Sequence, residues 1–160
     1  LKSYSNWLRR LMSFIFCVVL VWSVSYYLHQ YYIHYPKTYP AAWEYGFDQL
    51  VSYLKDNYSS NQRVLITDVY DQPYILFLFY LKYPPDQFQK EVVLTPKDKF
   101  GFSTVRDFGP YRFEKIEWNN LSDEHDLLVV GTPDEIPQEA NIVKYIYGPS
   151  GRPVFVVAKK

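Results

Sequence analysis

Leu11 to Leu28 reads LMSFIFCVVLVWSVSYYL, and no Lys, Arg, Asp or Glu occurs between Arg10 and Lys37. At about 1.5 Å of rise per residue this stretch extends about 27 Å as a helix, close to the roughly 30 Å hydrocarbon core of a bilayer. Extension to Ile33 makes the span comfortable. A helix satisfies its own backbone groups, as lipid demands, and Ser13, Ser23 and Ser25 can bond back to the preceding turn. The expected organisation is a cytoplasmic flank at 1–10, a transmembrane helix at 11–33 and an extracytoplasmic α/β domain at 34–160.

The flanks set the orientation. Lys2, Arg9 and Arg10 precede the span, whereas only Lys37 follows it closely. Basic residues stay on the cytoplasmic side, so the domain is expected outside. Trp7 marks one edge of the span, and Tyr26, Tyr27, Tyr31, Tyr32, Tyr35, Tyr39, Trp43 and Tyr45 crowd the other. Such rings favour the headgroup layer, where one end is dry and the other wet. Two rival readings are weaker. A cleaved signal peptide has only Ser23-Val24-Ser25 as a site, with a dense aromatic run behind it. A buried helix of a soluble protein would show a polar face, and none is visible.

Composition bounds the rest. The 160 residues suit one domain with an appendage, and 48 % hydrophobic content supplies a core and excludes a disordered chain. Aromatic residues reach 20 %, with 17 Tyr. Lys+Arg and Asp+Glu are 17 each, which argues against a nucleic-acid partner. Without Lys2, Arg9 and Arg10 the remainder has 14 basic residues against 17 acidic ones, a net of −3, so the domain carries no polybasic patch. A single cysteine, Cys17, excludes an internal disulfide and a multi-cysteine metal site. The chain starts at Leu rather than Met, so it is expected to be a piece of something longer.

The remainder reads as a mixed sheet with packed helices and a terminal hairpin. Pro40 opens an amphipathic helix with Trp43, Phe47, Leu50, Leu54 and Tyr58 on one face, capped by Thr38 or Tyr39. Asn57–Gln62 is a loop. Val64–Thr67 and Leu127–Val130 are continuous apolar runs, as buried strands require. Asp71-Gln72-Pro73 reads as a helix start, Tyr74–Leu81 as a helix apolar nearly all round, and Pro84-Pro85 as its stop. That helix is expected to lie near the bilayer surface or against membrane helices outside this chain. A short helix at Asp86–Lys90 and a strand at Val92–Thr95 follow, then an irregular stretch at 96–110. Tyr111/Phe113 and Ile116/Trp118 alternate as strand pairs out of phase with each other, which places a bulge or bend near Glu114. Thr132–Glu135 begins a short helix, and 142–147, 148–151 and 154–158 make the hairpin.

Catalytic and metal signatures are sparse. His29 and His34 lie at the membrane edge and His125 in a loop, none at ligand spacing, so no metal and no cofactor is expected. No GxGxxG, P-loop or GxSxG occurs, and Cys17 falls mid-span as inert packing. One constellation stands out as a candidate ligand site. Asp68, Tyr70 and Asp71 follow the first strong strand, and Gly131 and Thr132 follow the other. If the two strands are parallel neighbours, these residues meet at their carboxyl ends, where open α/β sheets bind ligands. Two carboxylates and a phenol suit sugar hydroxyls. The plainer reading has Asp71 capping a helix and Asp68 satisfying a turn.

The span through YYIHYP (31–36), with PAAWEYGF (40–47), YDQPYILFLFY (70–80) and GRPVFVV (151–157), resembles the C-terminal end of the multi-spanning membrane glycosyltransferases of family 39. That family is similar to the dolichyl-phosphate-mannose protein mannosyltransferases and the lipid A aminoarabinose transferases. The resemblance implies a parent enzyme that passes a sugar from a polyprenyl-phosphate donor to an acceptor outside the cytoplasm. This chain would supply the last membrane helix and the exported domain, with donor and acceptor reached through the missing membrane region. The family's catalytic carboxylate sits in an early loop absent here, so no residue of this chain inherits a catalytic role.

Three functions compete at this point. The first is an accessory exported domain of such a transferase. The second is a stand-alone, single-span membrane-anchored binding or interaction module without catalysis. A start codon just before Leu1, with no further hydrophobic segment, would favour the second. The third and weakest is a hydrolase using Asp68 and Asp71, whose carboxylate spacing would decide its chemistry.

Overall fold

The computed structural model describes residues 2–58, 62–121 and 127–160. The chain divides into two units, one ending at Tyr39 and the other beginning at Pro40. His125 and residues 59–61 of the expected loop lie outside the described residues.

The first unit is helical throughout. α1 (Lys2–His29) runs into one π-helical stretch, Gln30–His34, and then α2 (Tyr35–Thr38). The widened turn has a local cause. Pro36 has no N–H to donate, and its ring would clash with the carbonyl four residues back in a continuous α-helix. The Tyr35 N–H reaches back to the Gln30 carbonyl, and Pro36 falls in the first turn of α2, where no donor is needed. The segment Asn6–Thr38 is long and apolar enough to cross a membrane, and none of its most apolar window is buried. The helix holding it extends past the expected span of 11–33 at both ends.

The second unit is a seven-stranded mixed sheet in the order β2-β3-β4-β1-β5-β7-β6. Its strands are β1 (Val64–Ile66), β2 (Val93–Leu94), β3 (Val105–Phe108), β4 (Tyr111–Phe113), β5 (Leu128–Gly131), β6 (Asn141–Tyr147) and β7 (Pro153–Lys159). β1 lies at the centre, parallel to both β4 and β5, and every other pairing is antiparallel. Alternation along the central strands splits the core into two layers. Val64, Ile66, Leu128, Val130, Phe155 and Val157 pack beneath α3 (Phe47–Asn57) and α4 (Tyr74–Leu81), around Phe47, Leu50, Leu54 and Phe77. Leu65, Val129, Val156 and Ala158 face the other way, against Ile116, Leu127 and Ile136. The fold class is thus a long apolar N-terminal helix followed by a mixed α/β domain with a C-terminal hairpin.

Several expectations move. Pro40 opens only a 3₁₀ turn, Ala41–Trp43, and α3 starts at Phe47. Glu44 and Gly46 both take left-handed backbone, at φ 50° and 96°, which ends one helix and permits the next. A β-carbon on Gly46 would stand 2.9 Å from Val154 Cγ2, so the chain passes the hairpin at a distance only glycine allows. Trp43 is accordingly exposed rather than on the buried stripe, and Thr38 bonds back to the His34 carbonyl instead of capping α3. α4 matches the expected limits, but Pro73 rather than Asp71 is its cap residue, and Lys82 at φ 51° ends it before the prolines. Those prolines instead start α5 (Pro85–Glu91). Ile116 and Trp118 are not in a strand. The chain leaves the sheet after Phe113, and the phase slip marks its crossing from the first core layer to the second. Thr132–Glu135 is a single turn closed before Pro137, not a helix. Residues 96–110, expected to be irregular, contain β3 and half of the β2–β3 hairpin.

Candidate functional site

β1 and β5 are parallel neighbours, in register from Val64 opposite Leu128 to Ile66 opposite Val130. Their carboxyl ends therefore lie side by side, and the two sides of β1 end differently. On the β5 side the polar groups close on one another. Thr67, fully buried, donates from Oγ1 to Glu135 Oε1 at 2.8 Å. The Thr132 N–H and Oγ1 donate to Glu135 Oε2 at 2.9 and 3.0 Å. The Val69 N–H donates to Thr67 Oγ1 at 3.1 Å. One carboxylate thus ties the two strand ends together. Glu135 was not among the candidate residues. Its signal is the T-x-x-E spacing at 132–135, in which a Glu carboxylate reaches back to a backbone N–H three residues earlier.

Gly131 and Thr132 belong to this closed side. A β-carbon on Gly131 would stand 2.9 Å from Ile116 Cδ1 and 3.0 Å from Ile136 Cγ1, so the glycine is a packing residue of the second layer. Tyr70 is also a core residue. Its ring meets Phe47 and Phe155 at 5.2 and 5.1 Å between centroids. Burial, followed by the charge of Glu135, raises its phenol above the usual tyrosine range and keeps it protonated.

On the β4 side the ends stay open. A cleft of about 440 Å³ lies between the β1–α4 loop and the β2–β3 hairpin, with Phe113 of β4 also in its wall. Asp68, Asp71 and Asp98 bring carboxylates to it, Thr95, Ser103 and Thr104 bring hydroxyls, and Tyr74 and Phe102 bring rings. Asp68 and Asp71 are exposed, and Gln72 between Asp71 and α4 takes φ 52°. The Gln72 Oε1 accepts a hydrogen bond from the Tyr74 hydroxyl at 3.1 Å. Of the five sequence candidates, Asp68, Tyr70 and Asp71 line this cleft, whereas Gly131 and Thr132 do not. The sequence reading missed Asp98, Ser103 and Thr104, because they lie in a stretch without hydrophobic alternation.

The described lining holds no His, Cys, Lys or Arg. Carboxylates and hydroxyls can accept and donate hydrogen bonds to a polyhydroxylated ligand, while a ring covers its apolar C–H face. A second hollow of about 360 Å³ lies among Arg63, Arg106, Asp107, Arg112 and Glu114. Its charges are already engaged: Arg106 pairs with Asp107 at 2.6 Å, and Arg112 with Glu114 at 2.7 Å. Among the described residues no cluster of three or more His, Cys, Asp or Glu could hold a metal ion. No family model, curated protein or solved structure matches this chain.

Proposed function

We propose that the chain is a membrane-anchored sugar-recognition domain, working as the last membrane helix and exported lobe of a polyprenyl-phosphate-dependent glycosyltransferase. The cleft between the β1–α4 loop and the hairpin carries this reading, because it gathers the carboxylates of Asp68, Asp71 and Asp98, the hydroxyls of Thr95, Ser103 and Thr104, and several aromatic rings. Hydrogen-bonding groups and rings suit holding a sugar, and in this account the reaction centre lies in the membrane part. The apolar helix, the basic flank before it and the quoted likeness to family 39 support the same reading. In this account the acceptor sugar or glycosylated acceptor rests in the cleft, and the exposed face of α4, with Ile75 and Phe79, meets lipid or other membrane helices.

The test uses the full chain in lipid nanodiscs against a panel of immobilised glycans. Asp68→Asn with Asp71→Asn abolishes capture of the preferred glycan and leaves the circular dichroism spectrum unchanged. Capture that survives the double substitution, or no glycan captured by the unaltered chain, contradicts sugar recognition. The stand-alone anchored module is the second reading, served equally well by the same apolar helix and the same cleft. It predicts that the 160-residue product, expressed alone, is stable in membranes and captures glycan without any further membrane region.

A further inference from the structure

The β2–β3 hairpin has an unusual tip. The Asp98 N–H donates to the Phe102 carbonyl at 2.8 Å, and the Gly101 N–H to the Asp98 carbonyl at 3.0 Å. Asp98 Oδ1 accepts from the Phe100 and Phe102 N–H groups at 2.8 and 2.9 Å. Below them, the Thr95 N–H donates to the Thr104 carbonyl at 2.8 Å, and the Thr104 N–H to Thr95 Oγ1 at 3.0 Å. Gly101, at φ 88° with open space around it, supplies the left-handed step. A turn this well bonded holds its shape, yet it turns its largest apolar groups outward. Phe100 and Phe102 are 71 % and 73 % exposed. Lys97 and Lys99 directly precede them and are exposed too, and Lys99 Nζ sits 4.9 Å over the Phe100 ring.

Two exposed phenylalanines on a rigid turn mark a contact surface. We propose that this tip is a second membrane contact, with Phe100 and Phe102 entering the headgroup layer and Lys97 and Lys99 meeting lipid phosphates. The inference rests on the membrane-anchor reading above; Phe102 also lines the sugar cleft, so the test reads membrane depth rather than glycan capture. Three observations favour a bilayer. The tip's backbone donors are bonded internally, so entry into a poorly hydrated layer strands few of them. Lysine stems let their charged heads reach water and phosphate while the rings go deeper. The domain begins at Pro40, directly after the unit that carries the apolar helix, so an anchored chain keeps a bilayer surface at high effective concentration. A second copy meeting the tip through a two-fold axis would bring four lysines together, which disfavours that occupant.

The test reads depth from two single-cysteine versions of the full chain. One keeps native Cys17; the other carries Cys17→Ser with Ser103→Cys. Each is labelled with an environment-sensitive fluorophore and reconstituted in phosphatidylcholine vesicles containing phosphatidylglycerol and nitroxide-bearing lipid. The expected result is deep quenching of the label at 17 and shallow quenching of the label at 103. Phe100→Ser with Phe102→Ser removes the shallow quenching alone, and Lys97→Glu with Lys99→Glu weakens it on anionic vesicles. Quenching at 17 without quenching at 103 keeps the anchor and overturns the hairpin contact. No quenching at either position overturns both. A concentration-dependent blue shift at 103 in lipid-free detergent assigns the tip to a second copy and overturns the bilayer as its occupant.

Discussion

Trp22 in the N-terminal helix is 73 % exposed, whereas Phe155 in β7 is completely buried. Both are large aromatic residues in a regular element, so the difference lies in what surrounds them. Beyond Arg10, α1 is uncharged and apolar on every side, its described side chains are exposed, and it is long and apolar enough to cross a membrane. The sheet alternates its apolar side chains between two layers and covers each with the protein's own segments. α4 stands between these cases. Its eight residues are on average more apolar than those of α1, but about 12 Å cannot cross a bilayer, and it buries Phe77 while leaving Phe79 71 % exposed. Length and coverage, rather than composition, decide which solvent an apolar helix needs.

The strongest way to break this comparison is to charge the middle of the first helix. Val18→Arg with Val21→Arg should cost about 5–7 kcal/mol of insertion free energy on a biological scale. The chain is then expected in the soluble fraction after alkaline extraction, with the domain still folded by near-ultraviolet circular dichroism. Phe77→Ala does the reverse. It opens a cavity among Phe47, Tyr111 and Phe113 and should lower domain stability by about 3–5 kcal/mol in a denaturant titration, without affecting membrane retention.

Glu135 sharpens the contrast between the two sides of β1. Glu135→Ala removes the acceptor for Thr67 Oγ1 and for both Thr132 donors. A loss of about 1–3 kcal/mol is expected, whereas Asp68→Asn on the open side should stay within about 0.5 kcal/mol of the unaltered chain. The smallest effect concerns pH. Tyr83 donates to Glu91 Oε2 at 2.5 Å. Burial, followed by that bond and the Glu91 charge, pushes the Tyr83 phenol up to about 12. The same bond, followed by one from Gln87, holds the Glu91 carboxyl below its ordinary value. The stabilisation tied to Tyr83 is complete below about pH 10 and fades as pH rises towards 12. That tied to Glu91 is complete above the ordinary carboxylate pKa and fades as pH falls below it. Tyr83→Phe should flatten the alkaline arm of thermal stability against pH and weaken the acid arm.

The elements legible in the sequence share one property: their side chains are sorted by a single burial rule. Val64–Ile66 and Leu128–Gly131 are buried on both faces and read as continuous apolar runs. The unbroken apolar run of 11–28 and the glycine-rich turn at 148–151 are equally local signals. β3 was not legible because its inward residues, Val105 and Phe108, are three apart rather than alternating. The start of α3 was missed because Gly46 looks like an ordinary helix interruption, while its need is a close passage against Val154 on the distant hairpin. Half of the cleft was legible for the same reason. Asp68 and Asp71 follow a clear strand, but Asp98, Ser103 and Thr104 reach the site only through the β2–β3 pairing.

The central claim is that the apolar helix crosses a bilayer and leaves the sheet domain on the exterior side. Ser150, exposed in the turn between β6 and β7, offers a direct reading. The full chain carrying Cys17→Ser and Ser150→Cys is expressed in intact cells and exposed to a membrane-impermeant thiol reagent. The account predicts labelling without lysis, in protein that stays with the membrane fraction. Labelling that appears only after lysis, or a labelled chain released free of the membrane, contradicts it.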